Sequence, residues 1–354
     1  MKTLSVCWIM RNEADVCARS LESAASFADE LIVVDTGSDD NTVRIAEEHG
    51  AVVSQFLWID DFSAARNFAF LQAHSDYLMW LDADDIVSAE SAAIIAAAKQ
   101  SDFGGADTLI LPYQLSFTED GVPDFITHRE RILRRCAAAV WHGVVHEVIT
   151  PFGVIASLDA PIEHRKLRPT EPGRNLRIYE NRIASGKELS IREQFYYARE
   201  LSDNAQFDAA EPIFAALLEK IPASSPDRGA IYRGLAQCRA VCGDNTGALR
   251  WLLAASEHGC PSAVTCYAIG EQFFLRGLYE SAMEWYEKAL GSTCATETFD
   301  QALCHTLYPC LQLCVCADRL GDHHTAKRWN DRALAFSPSN PAAQQNAAYF
   351  AART

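Results

Sequence analysis

Short apolar runs alternate with stretches of helical spacing along the first half of the chain. The apolar runs cover residues 4–10, 30–35, 51–56 and 77–81, and each has the length of one strand. Residues 14–27 and 39–49 between them have helical spacing, and Asp39 or Asp40 is placed to cap the second helix. Strands that alternate with helices are typical of parallel βαβ units. The pattern therefore predicts an α/β domain with a mostly parallel sheet.

Polar clusters stand at the ends of three of these predicted strands. They are Arg11-Asn12-Glu13 after the first strand, Asp35-Thr36-Gly37-Ser38 after the second and Asp82-Ala83-Asp84-Asp85 after the fourth. Open α/β sheets bind their ligands beyond the carboxyl ends of the strands. We therefore expect the three clusters to build one site.

The acidic cluster after the fourth strand indicates the chemistry of that site. A buried strand cannot end in several carboxylates unless they leave the core or meet a cation. Asp82 and Asp84 are therefore predicted to face a divalent metal, Mg2+ or Mn2+, because hard cations take oxygen ligands and bridge carboxylates to phosphate groups. This arrangement predicts an enzyme that handles a nucleotide-linked substrate.

The pattern changes after residue 105. Residues 108–117 and 129–135 have the spacing of longer strands, which we expect to be antiparallel additions joined by a turn at Asp120-Gly121. Residues 166–174 contain two prolines, a glycine and several charges, as in a linker. We therefore predict an N-terminal domain over 1–165, a linker and connecting helix over 166–190, and a helical domain over 191–354.

A repeat of a small residue followed five positions later by alanine runs through the second half. Its copies begin at Ala205, Gly243, Gly277 and Gly321, with spacings of 38, 34 and 44 residues. A spacing of 34 is the tetratricopeptide period. The small residue allows a tight turn between two helices and the alanine allows them to pack closely. The pattern predicts three or four helical hairpins.

Composition excludes several classes of protein. The 354 residues carry a formal net charge of −16, which argues against nucleic acid as a partner because phosphate backbones need clustered Lys and Arg. Twelve cysteines occur without a CxxC motif and are expected to be small buried hydrophobes, as in a reducing compartment. No transmembrane run and no signal peptide are recognisable, so we expect a cytoplasmic protein.

Four segments of the first half resemble the family-two glycosyltransferases. They are the opening strand with Arg11-Asn12-Glu13, LIVVDTGSDDNT at 31–42, WIDDFSAARNFAF at 58–70 and LDADD at 81–85. The chain is similar to the branch that joins the transferase to tetratricopeptide repeats, which includes bacteriocin S-glycosyltransferases and lipopolysaccharide core glucosyltransferases. The resemblance implies a GT-A, Rossmann-like domain followed by an all-α, tetratricopeptide-like repeat domain.

The resemblance also implies an activity. It is a metal-dependent, inverting transfer of a hexose or N-acetylhexosamine from a UDP-sugar donor to a peptide, protein or glycan acceptor. The repeats would hold the acceptor or form a homodimer. Two alternatives remain open from the residues: a nucleotidyltransferase, which also uses carboxylate-bound metal, and a repeat scaffold with an inactive transferase-like domain.

Roles for single residues follow from the same resemblance. Asp84 matches the metal-binding second aspartate of the DxD motif, with Asp82 at the ribose or the metal. Asp35 ends its strand where the family grips uracil and ribose; the alternative is a turn-forming aspartate. Arg11, Asn12 and Glu13 would line the nucleotide pocket; the alternative for Arg11 is a pair with an acidic neighbour.

Three further residues take roles by position in the family pattern. Arg66 would hold a pyrophosphate oxygen or orient Asp82; the alternative is a surface charge pair on a helix. Glu147 resembles the base that takes the acceptor's proton. His164 would be a late metal ligand, with a buried, satisfied histidine as the alternative.

Overall fold

The chain divides into two compact units in a computed structural model. One unit comprises Met1–Ser116 and Ile126–Glu188, and the other comprises Phe117–Phe125 and Leu189–Thr354. The structure describes residues 2–118, 121–169, 171–223, 225, 227–257, 261–292 and 301–353.

A mixed sheet organises the first unit. Its elements, in chain order, are β1 (Leu4–Met10), α1 (Cys17–Ala24), β2 (Glu30–Asp35), α2 (Thr42–Glu48), β3 (Val52–Gln55), α3 (Phe62–Gln72), β4 (Tyr77–Trp80), β5 (Asp85–Val87), α4 (Ala89–Gln100), β6 (Thr108–Phe117), β7 (Pro123–Arg134), β8 (Trp141–His142), β9 (Val148–Ile149), β10 (Ile155–Ser157), β11 (Ile162–His164) and α5 (Arg174–Ala184). A short 3₁₀ turn covers Asp102–Gly105.

The strand order explains why the polar clusters meet. The sheet runs β3-β2-β1-β4-β7-β6-β11-β5, with β10 beside β6, while β8 and β9 form a separate ribbon. Strands β1 to β4 are mutually parallel, and Met10 pairs with Asp35. Their carboxyl ends therefore lie at one edge of the sheet. Strand β7 joins β4 antiparallel and β5 joins β11 antiparallel.

The sheet is covered on both faces, which explains its near-continuous apolar strands. Alternate residues of β1, including Trp8 and Met10, pack with Leu21 of α1 and Ile95 of α4. The opposite face, with Trp80 of β4, packs against α3 and Trp141. The elements that carry the candidate site are therefore anchored by a core on either side.

The four predicted strands of the parallel core are confirmed, each within about two residues. The antiparallel addition is also confirmed at β7, although Asp120 of the predicted turn lies outside the described residues. Helix α2 begins at Thr42, so the start predicted at Asp39 was too early. Asn41 takes the cap position, and Asp40 accepts a hydrogen bond from the Thr42 amide at 2.9 Å.

Nine helices make up the described part of the second unit beyond residue 188. They are α6 (Ile191–Asp203), α7 (Phe207–Lys220), α8 (Asp227–Val241), α9 (Asn245–Glu257), α10 (Ala263–Phe274), α11 (Tyr279–Gly291), α12 (Leu307–Arg319), α13 (His323–Phe336) and α14 (Pro341–Ala351). The first eight pair as α6/α7, α8/α9, α10/α11 and α12/α13, and α14 packs on α13. Four hairpins are therefore present in the described residues, at the upper end of the predicted count.

The predicted small residue of each copy lies in the turn within a hairpin. Ala205, Gly243, Gly277 and Gly321 all have positive φ, between 59° and 82°. The amide after each one donates to the carbonyl five residues earlier, as from Leu278 to Phe273, which is the Schellman arrangement. The repeated alanines, Ala210, Ala248, Ala282 and Ala326, are fully buried. The small residue of each copy thus forms the turn, and the alanine five positions later allows the close contact between the two helices.

No helix in the described residues has the length and apolar composition to cross a membrane.

Replacement of Ala205 by glycine should stabilise the second unit. Ala205 is the one of the four turn residues with a Cβ, and its φ of 59° lies in the left-handed region, where a side chain is strained. We expect Ala205→Gly to raise the free energy of unfolding by about 0.5–1 kcal/mol in urea melts. The control Ala209→Gly, in the exposed first turn of α7, should lower it by a similar amount. A lower stability for Ala205→Gly would contradict the turn analysis.

Candidate active site

A cavity of about 640 Å³ opens at the carboxyl ends of β1 and β4, within the first unit. Its acidic lining residues are Glu13, Asp82, Asp84, Glu147 and Glu171, and its basic ones include Arg11, Arg66, His164, Lys166, Arg168 and Arg174. The structure therefore brings together the predicted residues Arg11, Asn12, Glu13, Arg66, Asp82, Asp84, Glu147 and His164. Carboxylates and cations line one cavity, which suits a ligand that carries both a metal and phosphate groups.

Arg66 is the buried centre of this site. It lies on α3, and its Nη2 donates to Asp82 Oδ1 at 2.6 Å while its Nε donates to Glu147 Oε1 at 2.6 Å. The guanidinium carbon lies 4.9 Å from the ring centroids of both Trp80 and Trp141. Arg66 therefore contacts Asp82, which is the residue that one of its two predicted roles involves, and it also contacts Glu147.

The ion pair with Arg66 sets the charge of Asp82. Burial raises the pKa of this carboxyl, but Arg66 and Arg131 outweigh burial and lower the pKa to about 2. Asp82 is therefore a permanent anion whose Oδ1 is already engaged by a guanidinium.

Among the described residues, one group of side chains could hold a metal ion. It consists of Asp84, Asp85 and His164, and one ligand atom of each lies within 4.8 Å of the others. His164 Nδ1 lies 3.3 Å from Asp84 Oδ1 and 3.2 Å from Asp85 Oδ1. Burial raises the pKa of Asp84, and Asp82 and Asp85 raise it further, against the opposing effect of His164. Burial lowers the pKa of His164, but the surrounding aspartates outweigh burial and raise it.

Asp85 differs from Asp84 because its carboxylate is already saturated. It is fully buried, accepts hydrogen bonds from Arg131 Nη1 at 2.9 Å and Tyr113 Oη at 2.8 Å, and accepts a further one from the Asp82 amide. Asp84 and His164 both line the cavity, whereas Asp85 does not. Asp85 therefore holds its neighbours in place, and the half-buried carboxylate of Asp84 lines the cavity.

Sequence reasoning missed Asp85, Tyr113 and Arg131 as site residues. Arg131 is fully buried, and its guanidinium lies 3.5 Å from the centroid of Trp80 and 4.0 Å from that of Tyr113. Its partner Asp85 lies 46 positions earlier in the chain. Arg131 stands in a run of charged residues in β7, and no local pattern marks it as fully buried.

Glu147 lies at the end of the loop between β8 and β9. Helix α3 holds this loop: the Phe62 amide donates to the Val144 carbonyl at 2.9 Å, and Asn67 exchanges two hydrogen bonds with the backbone of Trp141. Phe62 and Asn67, which lie on the same helix as Arg66, thus hold the loop that carries Glu147, the predicted base.

Glu13 and Asn12 form the opposite wall. Asn12 has a φ of 56°, and its side-chain oxygen accepts from the Asp39 amide at 2.9 Å. Arg168 donates to the Asn12 carbonyl and to the carboxylates of Glu13 and Asp15. Burial and then the nearby Asp84 and Asp15 raise the pKa of Glu13 to about 7, although Arg168 opposes the rise.

Asp35 lies outside this group of cavity residues. It is 1% exposed, and its carboxylate accepts hydrogen bonds from the amides of Gly37 at 3.2 Å and Ser38 at 3.1 Å. Asp35 thus makes the contacts of a turn-forming aspartate, which was the alternative to a nucleotide contact. Its neighbour Thr36 lines an adjoining cavity of about 480 Å³, which shares Arg11, Asn12 and Glu13 with the first and includes Trp58, another residue that sequence reasoning missed.

Comparison with known proteins gives a family match for most of the first unit. Residues 5–155 match Glycosyl transferase family 2. A TPR repeat-containing protein of Synechococcus elongatus is 49% identical over 24% of this chain and 21% of its own length. The glycosyltransferase SunS of the SPbeta prophage in Bacillus subtilis is 28% identical over 54% of this chain and 48% of its own length. The chain therefore spans half or less of these curated relatives.

Among solved structures, S. aureus TarS is 17% identical, with a TM-score of 0.37 over 70% of this chain and 55% of that chain. The match over residues 5–155 and the hairpin repeats beyond residue 188 lead to one assignment. Residues 5–155 of the chain match Glycosyl transferase family 2 and form an α/β domain, and a tetratricopeptide-like helical region follows.

Proposed function

We propose that the chain is a metal-dependent glycosyltransferase that moves a hexose or N-acetylhexosamine from a UDP-sugar to a peptide, protein or glycan acceptor with inversion at the anomeric carbon. One observation carries this proposal. Within a glycosyl transferase family 2 domain, Asp84 and His164 line the same cavity as Glu147, which Arg66 fixes in place.

The residues present fit a divalent metal. Three aspartates stand close together at the end of β4, where Arg66 pairs with Asp82, Arg131 with Asp85 and His164 with Asp84. A carboxylate and an imidazole would hold the ion through Asp84 and His164, with Asp82 beside them. This mixed oxygen and nitrogen set favours Mn2+ over Mg2+, because Mg2+ prefers oxygen alone. When bound, the metal neutralises the diphosphate of the donor and stabilises the departing UDP.

The basic side of the cavity suits the donor's diphosphate. Arg11, Lys166, Arg168 and Arg174 line it, although the chain as a whole is strongly acidic. Guanidinium groups bind phosphate oxygens through charge-assisted hydrogen bonds. We place the nucleoside in the adjoining cavity by Thr36 and Trp58. In this arrangement Asp35 acts on the nucleotide through the turn that it stabilises.

Glu147 is our candidate for the base. One carboxylate oxygen is bound to Arg66 Nε, which orients the group in the cavity wall. The acceptor's proton passes to the Glu147 carboxylate as the acceptor attacks the anomeric carbon from the face opposite the diphosphate, and the bond to UDP breaks. Direct displacement with one base inverts the anomeric centre.

Replacement of Asp84 and of Glu147 should separate donor binding from chemistry. We expect Asp84→Asn to weaken Mn2+-dependent UDP binding by at least about 100-fold, with a melting temperature equal to or above that of the parent, because the change removes a charge repelled by its neighbours. Glu147→Gln should leave UDP binding unchanged and lower kcat by about 10²–10⁴-fold.

Calorimetry and assays of UDP release would measure both effects. Asp82→Asn serves as the matched control. It removes the charge of one of the two carboxylates that pair with the buried Arg66, so it should lower the melting temperature, whereas Asp84→Asn should not. Parental Mn2+ dependence in Asp84→Asn would refute the metal assignment.

Metal binding should be stronger at higher pH. The neighbouring aspartates raise the pKa of His164. Its charged ring therefore stabilises the fold fully below its ordinary pKa of about 6.5, and this contribution is lost as pH rises through the raised value. A metal binds the neutral ring and must displace the proton. Calorimetric titration with Mn2+ should show tighter binding at about pH 8 than at about pH 6, and His164→Gln should abolish most of this difference. Equal affinities at both pH values would exclude His164 as a ligand.

The repeats are proposed to hold the acceptor. A protein that ends after Glu188 keeps helix α5, which it needs because Tyr179 Oη of that helix donates to the Val145 carbonyl in the Glu147 loop at 3.3 Å. We expect this fragment to bind UDP with Mn2+ at parental affinity and to lose transfer to acceptor. A control that ends at Gly173 should lose both. Unchanged acceptor transfer by the longer fragment would remove the repeats from acceptor recognition.

A further inference from the structure

We infer that Asn67 is a positioning residue that fixes the loop carrying Glu147. Its side chain hydrogen-bonds to the backbone of Trp141, where this loop begins, and we call this pair of contacts the clamp. Neither the sequence motifs nor the similar proteins give Asn67 a role. The inference rests on the proposed function, because it gives Asn67 its importance through Glu147.

The loop needs support from outside. Strands β8 and β9, which flank it, pair only with each other among the described residues, through Trp141 with Ile149 and His142 with Val148. An isolated ribbon of two strands is marginally stable in water. The loop also contains a strained residue, His146, whose φ is 51°. Such backbone persists when surrounding contacts over-determine it.

Asn67 supplies a contact that replaces a missing strand. Its Nδ2 donates to the Trp141 carbonyl at 3.0 Å, and its Oδ1 accepts from the Trp141 amide at 2.8 Å. One side chain therefore satisfies both backbone groups of Trp141, as a neighbouring strand would in a hydrogen-bonded pair. Only a primary amide offers a donor and an acceptor in this geometry.

The clamp acts on Glu147 together with the preceding residue of α3. Arg66 holds the Glu147 carboxylate at the end of the loop, and Asn67 holds the backbone of Trp141 at its start. The Trp141 ring in turn packs on Arg66 at 4.9 Å and on Trp80 at a centroid distance of 5.0 Å. A shift of Trp141 would therefore move both the base and the guanidinium that orients it.

Asn67 does not line the cavity, so its effect reaches the reaction through the loop. A base displaced by about 1 Å can cost about 100-fold in rate. Donor binding, in contrast, depends on other walls of the cavity. Loss of the clamp should therefore lower kcat and leave the donor's KM nearly unchanged.

The test compares Asn67→Ala and Asn67→Asp with Leu71→Ala. Leu71 lies on the same helix but is 79% exposed, so it controls for perturbation of α3. Asn67→Asp keeps the shape and the acceptor but loses the donor to the Trp141 carbonyl. With Mn2+ and whichever of UDP-glucose and UDP-N-acetylglucosamine the parent hydrolyses faster, we expect both Asn67 variants to lose about 10–100-fold in kcat, with KM within about twofold. Leu71→Ala should match the parent.

A double-mutant cycle separates positioning from general damage. In a Glu147→Gln background, Asn67→Ala should cost no further activity, because the group it positions is already gone. An equal loss in both backgrounds would show that Asn67 acts elsewhere and would overturn the inference. A parent that hydrolyses neither donor would refute the proposed function instead.

Hydrogen exchange tests the clamp independently of turnover. In full-length Asn67→Ala, amides of residues 143–149 should exchange faster than in the parent, and those of β1 and β4 should not change. Leu71→Ala should leave the loop amides unchanged. Parental exchange over residues 143–149 in Asn67→Ala would overturn the inference whether or not the enzyme is active.

Discussion

The candidate site depends on one buried cation. Arg66 is 7% exposed, lies against two tryptophan rings and pairs with two carboxylates that are far apart in sequence. Removal of one partner of a buried ion pair typically costs about 3–5 kcal/mol, because the remaining charge is left without compensation. The same contacts fix Asp82 and Glu147 relative to each other. Stability and the geometry of the proposed reaction therefore depend on the same guanidinium.

A second buried pair supports the metal side of the site. Arg131 and Asp85 are both fully buried, and Asp85 accepts from Tyr113 while it lies against His164. This network uses up the hydrogen-bonding capacity of Asp85, whereas Asp82 and Asp84 both line the cavity. Two arginines from different elements thus pair with Asp82 and Asp85, while Asp84 is the aspartate that we propose to bind the metal.

Local patterns in the sequence predicted the parts of the protein that local physics determines. An apolar run that ends in carboxylates marked the edge of the sheet, and small residues marked the turns of the repeats, where positive φ favours glycine. Pairings between distant residues left no such trace. Arg131 and Asp85 come from different strands, and Asn67 meets Trp141 across 74 positions. Asp35 shows a further limit, because a carboxylate before Thr-Gly-Ser suits a turn and a nucleotide contact equally well, and the structure shows the turn.

We propose that Asp84 and His164 hold a divalent cation against the diphosphate of a nucleotide sugar. Anomalous diffraction at the manganese edge from crystals grown with Mn2+ and UDP would locate this ion. We expect one strong peak within bonding distance of the Asp84 carboxylate and the His164 ring, in contact with the UDP phosphates. UDP bound in the cavity without a peak at these two side chains, or a peak held by other residues, would contradict it.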